Sequence, residues 1–135
     1  MVTFIAVSAG FVAVNGDGRA QAVPPPNDDF TSAHPVVLGF SPPGGGYEDT
    51  VHTGGATLEE GEPTCVPDGD ASVWYVYVSS VTSDLVVDTS GSDFATFVSV
   101  YRLTNFYPSP PGGSLDEIAC SGGAGSQAQL EFTAR

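Results

Sequence analysis

Apolar residues in this chain recur at every second position or in short continuous runs, and no segment holds them at helical spacing. The densest run is Ser72-Val73-Trp74-Tyr75-Val76-Tyr77-Val78-Ser79, which carries the only tryptophan. Aromatic and β-branched residues suit a pleated surface better than a helix. Val73, Tyr75, Tyr77 and Ser79 share one face; Ser72, Trp74, Val76 and Val78 share the other. Both faces are largely apolar, so the pattern predicts a core strand covered on both sides, with Trp74 and Tyr75 at its heart. Such a sheet needs a second layer, and the expected fold is all-β, a jelly-roll-like β-sandwich.

Further strands are expected at Val36–Phe40, Tyr47–His52, Asp84–Asp88, Thr96–Leu103, Ser114–Ala119 and Gln127–Thr133. In the last, Leu130 and Phe132 face inward and Glu131 outward. Turns rich in Gly and Pro separate them; Ser-Pro-Pro-Gly-Gly occurs at Ser41 and again at Ser109, without matching flanks. Asn27 or Asp28 is placed to cap one helical turn running to Ala33.

The N-terminal stretch divides from this body. Residues 1–23 are predicted to hold strands at Val2–Val7, Phe11–Val14 and Arg19–Val23, broken by a Gly-Asp-Gly turn. Ala20-Gln21-Ala22 resembles a signal-peptide cleavage site, but no Lys or Arg precedes the apolar run and polar residues intervene. The run is too short and interrupted to span a membrane. Pro24-Pro25-Pro26 is a stiff extended linker, and residues 27–135 form the body.

Composition narrows the function. The net charge is −13, lysine is absent, and the cations are Arg19, Arg102 and Arg135. Such a surface repels nucleic acid and anionic lipid. Cys65 and Cys120 have no neighbouring Cys or His, which argues against zinc. In an exported chain they pair as a disulfide; otherwise they are two unrelated thiols. His34 and His52 lie far apart in sequence, and no nucleophile elbow or phosphate loop is present. No catalysis and no cofactor are therefore expected. The sequence is compatible with O-glycans on its Ser, Thr and Pro loops.

Several stretches, in order, carry a resemblance: Asn27-Asp28-Asp29-Phe30, Ala56-Thr57, Gly61-Glu62-Pro63, Ser72-Val73-Trp74-Tyr75, Asp88 through Thr96, Val100-Tyr101 and Ile118-Ala119-Cys120. Together they make the body resemble the secreted bacterial β-sandwich modules related to the pre-peptidase C-terminal (PPC-like) domain. The resemblance implies an exported, non-catalytic module used in adhesion, assembly or accessory binding. Similar modules carry acids after the second cysteine, where this chain has Ser121-Gly122-Gly123-Ala124-Gly125. Asp28 and Asp29 thus remain only weak calcium candidates, and no metal site is expected.

Similar modules also continue beyond the strand equivalent to Gln127–Thr133. Val2–Val7 looks like the strand that should follow Arg135. The head is thus expected to complete the sandwich of a neighbouring subunit beside Gln127–Thr133, through Phe4, Ile5, Val7, Phe11 and Val12. The expected partner is a second copy, the product a head-to-tail extracellular filament. The alternatives are self-closure, an out-of-register fragment of a tandem array, or an accessory module binding calcium, glycan or a partner domain.

Overall fold

The computed structural model describes residues 2–9, 23–39, 45–65, 71–104, 115–122 and 127–135, without the side chains of Val2, Phe4, Ser8 and Ala9. Its strands are β1 (Val2–Ala9), β2 (His34–Val36), β3 (Ala71–Val78), β4 (Ser83–Asp88), β5 (Thr96–Leu103), β6 (Leu115–Gly122) and β7 (Gln129–Ala134). They form a five-stranded sheet in the order β2-β3-β1-β5-β6 and a two-stranded sheet, β4-β7. The expected strand at Phe11–Val14 lies outside the described residues, as do Phe40 and all of the expected Arg19–Val23 strand except Val23 itself.

The two sheets pack face to face as an all-β sandwich. Alternation along each strand supplies the shared core. Ile5, Val98 and Val100 from the larger sheet meet Phe132 and Ala134 of the smaller, with Ala128 beside them. Half-buried Val7, Tyr75, Tyr77 and Ile118 face half-buried Leu85, Val87 and Leu130. Glu131 points to solvent, as its alternation predicts.

The larger sheet is apolar on its other face too. There Ala6, Trp74 and Tyr101 are buried, with Phe30, Ala33, Val76, Leu103 and Leu115 against them. The cover is a layer of mostly irregular chain drawn from residues 27–65. This explains why both faces of the Trp74 strand read as apolar. The rings of Trp74 and Tyr101 lie 5.9 Å apart, and Phe30 meets Trp74 edge-on at 5.3 Å. Ala6 sits opposite both Trp74 and Ser99, where a small side chain leaves room for these rings.

Four expectations are corrected. Val2–Ala9 does not lie beside Gln127–Thr133: β1 pairs antiparallel with β3 and β5 of its own chain, while β7 pairs with β4. Contact between β1 and the smaller sheet runs through side chains, Ile5 joining Phe132 and Ala134 in one cluster. The strand expected from Val36 onward instead ends there, because only His34–Val36 lie along the edge of β3. Tyr47–His52 is not a strand, because its backbone finds no ladder among the described residues. The helical turn is a 3-10 turn over Phe30–Ser32 whose N-cap is Asp29, with no side-chain cap bond; Asn27 and Asp28 are committed elsewhere.

Thr3 is fully buried on β1, and its hydroxyl has no hydrogen-bond partner. A buried hydroxyl left unpaired costs about 1–3 kcal/mol. Thr3→Val keeps the shape and β-branching and removes that cost, so stability should rise by about 1 kcal/mol or more in urea unfolding. A loss of stability would mean that the hydroxyl is satisfied.

Candidate functional site

Two places on this scaffold combine geometry with chemistry. The first is the slot that β1 occupies. All eight residues of β1 face partners on β3, from Val2↔Val78 to Ala9↔Ala71. On its other edge Thr3↔Arg102 through Ala9↔Thr96 align with β5. Of the joining residues expected from sequence, Ile5 is buried and Val7 half-buried in the sandwich core. Phe4 lies in β1, but its side chain is outside the described residues, as are Phe11 and Val12 altogether.

The slot also has a defined geometry at the chain ends. Val2 pairs with Val78, the last residue of β3, and Ala134 pairs with Ser83, the first of β4. Residues 78 and 83 are separated by at most about 17 Å of extended chain. Val2 and Ala134 therefore lie at the same end of the sandwich, beside the β3–β4 connection.

The outer layer closes the other edge of β3, and it does so piecewise. Thr57 O accepts from Ser72 N at 3.1 Å, and Asn27 O from Trp74 N at 2.8 Å. Parallel strand β2 then pairs with Tyr75–Tyr77. Asn27 Nδ2 also donates to Trp74 O at 3.2 Å, so one asparagine serves both backbone groups of Trp74. An exposed ladder edge is thereby covered without a long strand. At the far side of the sheet Tyr101 Oη donates to Pro63 O at 2.9 Å. Cys65 and Cys120 are disulfide-bonded with Cα atoms 6.1 Å apart, fastening the same layer to β6. Closing a loop of this separation, 55 residues, is worth about 4 kcal/mol in the chain-entropy model.

Carboxylates organise that layer internally. Asp28 accepts from Thr57 N at 2.7 Å and from Thr57 Oγ1 at 3.0 Å. Glu59 accepts from Phe30 N at 2.9 Å, and Glu62 from Glu59 N at 3.0 Å. Burial, reinforced by the charges of Glu59 and Asp28, pushes the Glu62 carboxyl above its ordinary range. Burial likewise raises Glu59, against the Phe30 N–H that holds it down. Asp28, a weak calcium candidate, is thus occupied as a backbone acceptor; Asp29 is exposed. Among the described residues no three His, Cys, Asp or Glu are grouped to hold a metal ion. Asp68 and Asp70 lie outside them. The Gly-rich departure after Cys120 has a steric cause at Gly122. Its φ is +146°, and a Cβ there would meet the Phe97 ring at 2.6 Å and Thr96 O at 2.7 Å.

The second place was hidden in the sequence. A hollow of about 370 Å³ at the β2 edge is lined by Val23, Pro25, Pro26 and Asn27, by His34, and by Asp49–His52. It brings together the two histidines that lie far apart along the chain. The His34 ring stands 6.0 Å from Tyr47 and 6.1 Å from Tyr75. Tyr75 Oη donates to Asp49 Oδ2 at 3.1 Å. No local pattern signals this convergence, since it depends on β2 pairing with β3.

No helix among the described residues is long and apolar enough to cross a membrane. No family model, no curated protein and no solved structure matches the chain.

The raised Glu62 carboxyl sets a pH dependence. Its burial penalty is absent at pH below the unfolded-state value and fully present above the folded one, so stability falls as pH climbs between them. Glu62→Gln keeps an acceptor for Glu59 N–H and removes the penalty. The variant should melt higher than the parent near neutral pH and together with it at about pH 3. Equal melting at both pH values would show that the carboxyl is not destabilised by burial.

Proposed function

We propose that the chain is a non-catalytic extracellular structural subunit that polymerises head to tail by exchanging its N-terminal strand. The observation that supports this reading is the position of β1. It is the first element of the chain, yet it fills the middle of the larger sheet, between β3 and β5. Every contact it makes there is available to the β1 of another copy. It reaches the body through residues 10–22, which span at most about 45 Å when extended. That reach allows β1 to enter its own slot or a neighbour's. Pro25 is buried and its carbonyl accepts from Asp28 N, which ties this one proline to the start of the body.

In an exchanged joint the donor's Val2 would enter beside the acceptor's β3–β4 connection, next to its β7 terminus. The contact is heterologous, so it need not close and can propagate as a fibre. The resemblance of the body to PPC-like modules belongs to this reading, and so does an extracellular location, with which the disulfide is compatible. A charge of −13 per subunit opposes dense assembly and makes it salt-dependent.

A second reading is favoured by the intrachain pairing of β1 itself. The chain is then a self-closed accessory or adhesion module of a larger secreted protein, taking a glycan, calcium or a partner domain.

The register separates the two. Val2 and Val78 are direct partners, so a Val2→Cys, Val78→Cys double variant should form a second disulfide. Exchange predicts a ladder of covalent multimers on a denaturing, non-reducing gel, collapsing to one band on reduction. A single monomer band from material that is filamentous in micrographs would remove strand exchange as the joint, and a monomer in solution would favour the accessory module.

A further inference from the structure

We propose that the hollow at the β2 edge binds an organic ammonium carried on an aliphatic stem, the chemistry of a free alkylamine or of a lysine side chain. The inference does not depend on whether the chain polymerises. Its anchor is Asp49. Thr50 N donates to Asp49 Oδ1 at 2.8 Å, and Tyr75 Oη donates to Asp49 Oδ2 at 3.1 Å. One hydrogen bond on each oxygen orients the carboxylate and leaves further lone pairs on both.

Among the described residues that line the hollow there is no Lys or Arg to neutralise this charge. The chain as a whole has three such residues against sixteen Asp and Glu, so its field draws cations towards it and repels phosphates and carboxylates. The neighbouring phenols register the same charge. Burial first, and the Asp49 charge second, raise the hydroxyls of both Tyr47 and Tyr75 above their ordinary value.

The remaining walls select the ligand's shape. Pro25, Pro26 and the 86 % exposed Val23 form an aliphatic side against which a methylene stem can pack. His34 and His52 line the same hollow as Asp49. An imidazole nitrogen that carries no proton can accept a hydrogen bond from an ammonium.

The test uses the whole protein and n-butylamine as probe, followed through the imidazole NMR signals of His34 and His52. Controls are n-butanol, matched sodium chloride and the Asp49→Asn variant. Saturable shifts are expected with the amine alone at about pH 8, weakened about tenfold or more by Asp49→Asn. The introduced amide can still accept from Tyr75, and a thermal melt checks the variant's folding. If that variant does not fold, Asp49→Ala takes its place with the same expected loss. An acetylated and amidated Gly-Lys-Gly peptide distinguishes the source: tighter binding than n-butylamine indicates a protein side chain, and equal or weaker binding a free amine. Shifts that n-butanol reproduces, that survive loss of the Asp49 carboxylate, or that do not saturate would overturn the site.

Discussion

The structure depends on β1 being held along both of its edges. Strands β3 and β5 do not pair with each other; β1 pairs with each of them. Its removal would open two ladder edges in the middle of the sheet and withdraw apolar side chains from both faces. Ile5 and Val7 belong to the sandwich core and Ala6 to the outer cluster around Trp74. A buried apolar side chain contributes about 1.5–3 kcal/mol, and unpaired buried backbone groups cost a comparable amount each. One short segment therefore controls the integrity of two packed interfaces. In the proposed filament the same property would suit it to exchange between copies, because the slot cannot stay empty at little cost.

The second constraint is the mismatch between the sheets. A two-stranded sheet covers only part of one face of a five-stranded one, and nothing sheet-like among the described residues covers the other. Irregular chain does the rest, and irregular chain has no ladder to satisfy its own amides. Here carboxylates take that role, each accepting from a backbone N–H: Asp28 from Thr57, Glu59 from Phe30, Glu62 from Glu59. The same layer is fastened at Asn27 on β3 and through the disulfide at β6. Asp28, one of the two weak calcium candidates, is thus a structural acceptor, and Glu59 and Glu62 share that role at the cost of burying charge.

Much of the fold was legible along the chain. Thr96–Leu103 stands in the structure with the bounds its apolar run suggests, and the Trp74 strand differs by one residue at each end. Two cysteines in turn-rich sequence left one intrachain pairing, which the structure shows. Tyr47–His52 differs from expectation because the segment lies beside Tyr75 and His34 through side-chain contacts, with no strand among the described residues paired to it. The Asn27-Asp28-Asp29 motif looked like a cap or a calcium loop. Its work is to cover a sheet edge and to bind Thr57, contacts 47 and 29 residues away that no local pattern encodes.

The sequence by itself determined where most of the strands lie, which side chains along each face a core, and that the chain is all-β, because period-two alternation and turn chemistry act over a few neighbouring residues. Tertiary structure decided which slot Val2–Ala9 enters. Alternation makes a strand two-faced, but it says nothing about which edges it will join; that follows from the fit of Ala6 between Trp74 and Ser99, and of Ile5 opposite Tyr75 and Val100. Tertiary structure likewise decided that His34, Asp49 and His52 share one hollow, since the parallel pairing of β2 with β3 sets where the loops on either side of it come to rest.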